Sequence, residues 1–513
     1  MAANIIIEQT PEFNTLPAAQ DIIFTVSENA IVTTEERVKF IAEVYVSREN
    51  SILVSSTNRV AILKTTPNNA GVGIFDLSSI IESYVSPDYE GSEFIVPNPA
   101  HTSEYKETAF SEQTQFPIHI IDKYALNMNS TVYFQVNFTI EYLVGNYVVT
   151  DDDVTYGEEY YVFNGYTKNE DILTSTAINR IPGLNLRKVG MGSSTYWAFS
   201  QFHTLTANYS MDTSEGRFLS SAPLVQYARM SDYGTVAMFN RMNYSEYRFT
   251  TAPSGANNEI SYINIIVYDA AGAQIGSPIL ISNNSANGGT NSGYDEYASQ
   301  HLIYCGIYPG NLDNWSGDWD VKKASGIDHY TFQAKDNHHN LLTDVYRVNI
   351  ICESEKGYEG VRLTWLNRFG TWDYYTFNKK SVRSLTTNKT QYTQLKGTWN
   401  KAKYSENGFR GGQKNFKVNA KERLTLNTDF LNDNESVWME ELISSPEVYI
   451  INHHQEDELW ELQVAEYTDI VKKYIEPVIL ATSNYTRKTR ANDKLIQYTI
   501  QVERNKTQRT QAM

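Results

Sequence analysis

The most distinctive segment of the sequence, and one whose aromatic residues could bind a ligand, is Thr364–Lys380, TWLNRFGTWDYYTFNKK. Its rings surround Gly370 and include Trp365, Trp372, Tyr374, Tyr375 and Phe377. Aromatic faces can stack on sugar rings, so one interpretation of this aromatic block is a glycan-binding platform. The other interpretation is a packed strand–turn–strand core in which the glycine supplies the turn. The strand-like flanks favour the packed core.

Two groups of aspartates could supply the hard oxygen ligands that calcium prefers. One is Asp151–Asp153, and the other is formed by Asp313, Asp318 and Asp320. Neither group has the spacing of the helix–loop–helix calcium motif. Solvated turns are therefore the favoured interpretation of both groups, with calcium binding as the alternative.

Histidine occurs in two adjacent pairs, His338-His339 and His453-His454. Neighbouring side chains on a strand point to opposite faces, so such a pair does not readily share one metal ion. We interpret all four as surface-loop residues, with transition-metal binding as the alternative, and predict no metal and no cofactor.

The sequence lacks the signatures of the common enzyme classes, such as the phosphate-binding loop, the dinucleotide fingerprint, the nucleophile elbow and the zincin helix. Cys305 and Cys352 lie too far apart for a zinc knuckle and are interpreted as two buried thiols, with one disulfide as the alternative. A polysaccharide depolymerase would need two converging carboxylates, which sequence cannot select among sixty acidic residues. We therefore predict that the chain is not an enzyme.

The elements that would position these residues are mostly strands. Period-two alternation marks Val38–Val46 and Val132–Ile140, and the second is followed by a Gly145-Asn146 turn. A hairpin is predicted over Ile260–Ile281, and a last strand over Leu495–Glu503. These patterns predict an all-β fold of tandem β-sandwich domains, Ig-like or related, with two short helices.

The two helices are predicted from apolar spacing and stop signals. The first follows Asp76 and is stopped by Pro87, and the second begins near Asn434 and ends before Pro446. We predict an N-terminal β-sandwich domain at 1–170, a central β-sandwich region at 171–378 and a C-terminal β-domain at 379–513. GTVAMFNR at 234–241 resembles GVRLTWLNR at 360–368, either by chance or because the central region is duplicated.

The composition argues against nucleic acid and membranes as partners. The net charge of −17 argues against a nucleic-acid binder, and the 36 tyrosines favour β-structure rich in contact surfaces. A secretion signal and an apolar run long enough for a membrane span are both expected to be absent. The sequence thus predicts a soluble protein that is made inside a cell and does not insert into membranes.

Charge is concentrated in blocks along the C-terminal third. Residues 379–424 hold twelve basic and two acidic residues, whereas 425–480 hold thirteen acidic residues and two lysines. Such blocks suit complementary faces of an assembly, and solvated surfaces are the alternative. The candidate interface residues in the basic block are Lys396, Lys401, Lys403, Arg410, Lys414 and Lys417.

Four segments resemble a family of virion structural proteins from tailed phages of Bacteroidetes and marine relatives. They are WLNRFGTWDYYTF at 365–377, LNTDFLNDNESVWMEELISSPEVYI at 426–450, SNYTRKTRANDKLIQYTIQVE at 483–503 and LKTTPNNAGVGIFDLSSIIESYV at 63–85. The resemblance implies a particle component of the tail, baseplate or neck, assembled in the bacterial cytoplasm and located in the virion. It implies other virion proteins and copies of the same chain as partners. It defines no catalytic residues.

The expected function is therefore structural and depends on interfaces in a symmetric assembly. A host receptor- or glycan-binding protein, with a host-surface glycan as partner, is the first alternative. A surface polysaccharide depolymerase is the second.

Overall fold

The fold is given by a computed structural model. The described residues are 4–11, 15–48, 57–93, 116–121, 123–126, 129–166, 180–181, 217–239, 262–282, 302–313, 315–335, 339, 341, 343–353, 356–398, 400–406, 408–451, 475–482, 496–505 and 507.

The N-terminal strands build a two-sheet sandwich, together with three strands that join a different sheet. In chain order they are β1 (Ile6–Pro11), β2 (Thr15–Ala19), β3 (Ile23–Ser27), β4 (Glu36–Ser47), β5 (Arg59–Thr65), β6 (Val72–Asp76), β7 (Glu90–Glu93), β8 (Phe116–Pro117), β9 (Tyr124–Leu126), β10 (Thr131–Val144), β11 (Tyr147–Thr150), β12 (Thr155–Tyr166) and β13 (Arg180–Ile181). One sheet has the order β13-β1-β3-β6, and the other has the order β2-β12-β10-β4-β5 with β11 paired to β10.

The two sheets share one hydrophobic core because their strands alternate apolar and polar residues. Phe24 of β3 lies at its centre, 6.3 Å from the Phe134 ring and 5.6 Å from the Tyr160 ring of the facing sheet. The alternating residues of β4 that were predicted to share a face, from Val38 to Val46, are all buried. The predicted strand over Val132–Ile140 and its Gly145-Asn146 turn are confirmed by β10 and β11.

The strands in the middle of the chain belong to two five-stranded sheets. These strands are β14 (Val225–Ala228), β15 (Thr235–Phe239), β16 (Tyr262–Tyr268), β17 (Ile279–Ser282), β18 (Leu302–Gly306), β19 (His329–Lys335) and β20 (Tyr346–Ile350). One sheet has the order β14-β20-β19-β16-β17, in which β16 and β17 form the predicted hairpin. The other has the order β15-β18-β9-β7-β8, so it takes strands from both sides of the boundary predicted near residue 170.

The C-terminal strands form one seven-stranded sheet. They are β21 (Val361–Leu366), β22 (Trp372–Phe377), β23 (Val382–Gln394), β24 (Gly412–Asn427), β25 (Val448–Ile451), β26 (Ile475–Leu480) and β27 (Thr499–Arg504). The order is β22-β21-β25-β26-β27-β24-β23, which places β23 at an edge. The face predicted for the last strand is confirmed, since Ile496, Tyr498, Ile500 and Val502 are all buried.

Within the described ranges the helices are few and short, which with the five sheets there confirms the all-β sandwich prediction. They are α1 (Asn29–Thr34), α2 (Ser78–Glu82), α3 (Pro309–Asp313), α4 (Gly317–Ala324) and α5 (Asp433–Ser444), with one 3-10 turn at Ile118–Ile120. The two predicted helices are α2 and α5. Asn432 and Glu435 form a capping box that begins α5. The other three helices, of five to eight residues, were not predicted.

By internal contacts the chain divides into two units. The first includes Met1–Ile351 and Leu366–Asp373, and the second includes Cys352–Trp365, Tyr374–Glu456 and Asp469–Met513. The three-domain division and the duplication stay predictions. The two echoing segments contain β15, at the edge of its sheet, and β21, inside another. Among the described residues, no helix is long and apolar enough to cross a membrane.

Candidate functional site

A long β-hairpin extends from the edge of the seven-stranded sheet in the second unit. β23 pairs with β24 along its whole length, but β27 pairs with β24 only over Arg423–Asn427. Residues 385–422, which we call the arm, therefore run beyond the pairing with β27 as a two-stranded ribbon with a tip at 395–411. Ten residues of β23 at about 3.3 Å each give the ribbon a reach of about 30 Å.

The arm exposes both of its faces. Every residue of β23 from Val382 to Thr393 is exposed, unlike the half-buried strands of the sandwich. Large apolar side chains are exposed with them, and the ring of Phe409 at the tip is 74% accessible. The exposed apolar residues of the arm are Leu385, Tyr392, Leu395, Tyr404, Phe409, Phe416 and Val418. Clustered exposed apolar residues of this kind typically mark an interaction surface.

The tip is held by its own hydrogen bonds. The backbone amide of Thr398 donates to the Ser405 carbonyl at 3.1 Å, and the Ser405 amide donates to Thr398 Oγ1 at 3.1 Å. Lys414 Nζ donates to the Phe409 carbonyl at 3.2 Å. Such a tip is preorganised, so less conformational entropy is lost when it binds.

The structure brings all six candidate basic residues onto the arm. Five of them are exposed, and Lys417 is half-buried. Ion pairs neutralise the root of the arm, where Arg383 binds Glu359 and Glu422 while Lys421 and Arg423 bind Glu503. The tip carries four basic residues and one acid, Glu406, which lies 3.6 Å from Lys396. Positive charge is therefore concentrated at the far end of the arm.

The aromatic block packs into the protein interior. Trp365 is fully buried, with its ring 5.1 Å from Trp438 on α5. Trp372 and Tyr374 are buried too, and Tyr375 is half-buried with its hydroxyl accepting from the Asp429 amide at 3.1 Å. The glycan-platform interpretation is therefore wrong for Trp365, Trp372 and Tyr374, because a ring without an accessible face cannot stack on a sugar.

The turn inside the aromatic block is fixed by hydrogen bonds within the first unit. Asn367 Nδ2 donates to the Leu219 carbonyl at 3.0 Å and to Asp373 Oδ1 at 2.9 Å. Ser220 Oγ donates to the same Asp373 oxygen at 2.6 Å. Gly370 adopts φ 73° in this turn, as expected for the glycine of a tight turn.

Replacing Gly370 with alanine should destabilise the first unit more than the same change at Gly145. A Cβ at residue 370 would lie 1.7 Å from the Asn164 carbonyl oxygen, whereas a Cβ at residue 145 would contact nothing within 4 Å. Both positions carry the left-handed penalty of about 1–2 kcal/mol, and overpacking at residue 370 adds about 1–3 kcal/mol. Thermal unfolding of the two variants measures the difference, and equal melting temperatures would contradict the tight turn.

A buried aspartate, Asp88, contacts Trp372 through its backbone. Asp88 is fully buried, its Oδ2 accepts from Ser130 Oγ at 2.5 Å and from the Tyr304 hydroxyl at 3.2 Å, and its backbone carbonyl accepts from Trp372 Nε1 at 2.8 Å. Burial raises the pKa of this carboxyl from 3.8 to about 6, although both side-chain hydrogen bonds oppose the shift.

The Asp88 carboxyl should make stability depend on pH. Between pH 4 and 6 the folded state holds this proton and the unfolded state releases it, so the stabilising contribution falls as pH rises and levels off above about 6. The total change is on the order of 3 kcal/mol. The unfolding free energy of the wild type relative to Asp88→Asn should follow this curve. A difference that stays constant from pH 4 to 7 would refute it.

The described residues among the candidate metal ligands, and the two cysteines, do not form a metal site. Asp318 and Asp320 begin α4 instead of lying in a turn, and Asp313 binds Lys323 at 2.9 Å. His339 Nδ1 lies 2.6 Å from the Tyr262 hydroxyl, and the other three histidines of the pairs lie outside the described residues. Within the described ranges, no group of three or more His, Cys, Asp or Glu could hold a metal ion. Both cysteines are free thiols; Cys305 is buried as predicted, but Cys352 is exposed.

Comparisons with known proteins give little guidance. No family model matches the chain, and no curated protein matches it. One solved structure that it resembles is the native conformation of E. coli alpha-2-macroglobulin, at 8% identity and a TM-score of 0.18. That alignment covers 83% of this chain and 22% of the macroglobulin. A similarity this weak carries no argument about function.

The basic residues of the arm were identified from the sequence, but the exposed apolar residues that lie among them in the chain were not. Their signal is present in the sequence: Tyr404, Phe409 and Phe416 alternate with basic residues around the Gly411-Gly412 pair. The exposure of these apolar residues could not be predicted, because the residue pattern of a strand does not show whether another part of the protein packs on its apolar face.

Proposed function

We propose that this chain is a structural component of a tailed-phage virion, in the tail, baseplate or neck. It acts through protein–protein interfaces in a symmetric assembly, with copies of itself and other virion proteins as partners. The four segments that resemble phage virion proteins support the phage origin. The arm supports the mode of action.

The arm carries this proposal because of its exposure and its charge. A two-stranded ribbon packed on one face would hide its apolar side chains, but this one leaves seven exposed together with the basic residues of the tip. An isolated hairpin has little stability of its own, so a long one needs support from a further surface. A subunit interface would supply that support, and the apolar residues would provide most of the binding energy.

The alternatives receive less support. The glycan-binding alternative depended on the aromatic block, whose Trp365, Trp372 and Tyr374 are buried. None of the described residues gives an observation that favours the depolymerase. We therefore do not advance either as a second function.

Electron microscopy of the purified chain tests the proposal. We expect closed, rotationally symmetric oligomers, which sedimentation would detect as a species several times the mass of one chain. A chain that stays monomeric at every concentration and releases reducing sugar from host capsule would contradict the structural role. A monomer that binds a glycan array would favour the receptor-binding alternative instead.

A further inference from the structure

A second exposed surface of the chain has the chemistry that the arm would need in a partner. β11 pairs with β10, and the described residues place no strand against its other edge. Four large apolar side chains are exposed on this strand and the start of β12, with Tyr147 at 78% and Tyr156 at 63%. We call residues 144–159 the acidic corner; its exposed apolar residues include Tyr147, Val148, Val149 and Tyr156.

The acidic corner also carries uniform charge. Residues 144–159 contain five acidic residues and no lysine or arginine. Asp152 and Asp153 are exposed beside the apolar side chains. The Asp151 carboxylate accepts from the Asp153 amide at 3.0 Å, which fixes the turn between β11 and β12. The surface is therefore apolar, acidic and preformed, whereas the arm tip is apolar, basic and preformed.

We propose that the arm of one copy docks on the acidic corner of a second copy of this chain, an inference that rests on the proposed function. The charges of the two surfaces favour this contact over a contact between two arms. The basic block carries +10 and leaves −27 for the rest of the chain, since the whole carries −17. Two arms side by side would place like charges together, which disfavours association.

Docking of one surface on a different one has a consequence for symmetry. The contact is either reciprocal, as in a two-fold dimer where each arm docks on the corner of the other copy, or heterologous, where each copy offers its arm to one neighbour and its corner to another. A chain of such contacts closes into a ring when the rotation per copy permits it. The unpaired edge of β11 can also accept backbone hydrogen bonds from a strand of the arm, as in the addition of a strand to a sheet edge.

A charge-swap experiment on the full chain tests the contact. The arm variant is Lys401→Glu with Lys403→Glu and Arg410→Glu, and the corner variant is Asp152→Lys with Asp153→Lys. Asp151 is left unchanged because it holds the turn. Asp21→Lys with Glu82→Lys is the matched control, since both residues are exposed acids of the same unit. Sedimentation measures the self-association constant of each purified variant.

We expect the arm variant and the corner variant each to weaken self-association about tenfold or more, because attractive contacts become repulsive. A chain that carries both sets of changes should recover association to near the wild-type value. The inference is overturned if the corner variant behaves like the control or if the combined variant shows no recovery. With either of these two results, an arm variant that associates more weakly would still support the proposed function. An arm variant that associates like the wild type would count against the docking contact and against the proposed function.

Discussion

Replacing Trp365 with alanine is expected to destabilise the second unit by about 3–5 kcal/mol. The ring is fully buried and packs at 5.1 Å against Trp438, so the substitution removes a large apolar surface and leaves a cavity between β21 and α5. Typical domains are stable by about 5–15 kcal/mol, so the loss would take much of the stability of this unit. Thermal unfolding followed by circular dichroism should show a marked fall in melting temperature.

The control for this substitution is Phe409→Ala on the tip of the arm. Its ring is 74% exposed, so its removal should change the free energy of unfolding by no more than about 0.5 kcal/mol. A Trp365→Ala variant as stable as this control would show that Trp365 is accessible. The glycan-platform interpretation would then need to be reconsidered.

The sandwich strands could be predicted from the sequence because burial of one face imposes a period of two. The alternate residues of β4 from Val38 to Val46, and those of the last segment from Ile496 into β27 at Val502, show that pattern and are buried as predicted. α5 was predicted from the apolar spacing of its residues and from the stop at Pro446, and the structure adds the capping box of Asn432 and Glu435 at its start. In these elements, local sequence and tertiary packing specify the same structure.

The rest depended on contacts that a local pattern cannot show. β9 pairs with β18 across more than 170 residues of chain, so the sequence gives no sign that one sheet spans the boundary predicted near residue 170. The basic residues of the arm were identified from charge alone, but its extension depends on β27 pairing only with Arg423–Asn427. The burial of the aromatic block was favoured from its strand-like flanks, whereas the partners of Trp372, such as Asp88, were not foreseeable.

Deleting the arm should abolish self-association and leave the fold intact. Leu385 and Glu422 are cross-strand partners, so a two-residue Asn-Gly turn can join them after removal of residues 386–421. The pairing of β24 with β27 lies outside the deleted segment and is kept. We expect the melting temperature to change by only a few degrees, because the removed residues are mostly exposed.

Sedimentation of the arm-deleted chain beside the wild type is the most direct test that this protein acts through the arm. We expect a wild-type oligomer and an arm-deleted monomer, each with the circular dichroism spectrum of a folded β-protein. Arm-deleted chains that form the same oligomer as the wild type, at equal concentration and salt, would contradict this expectation.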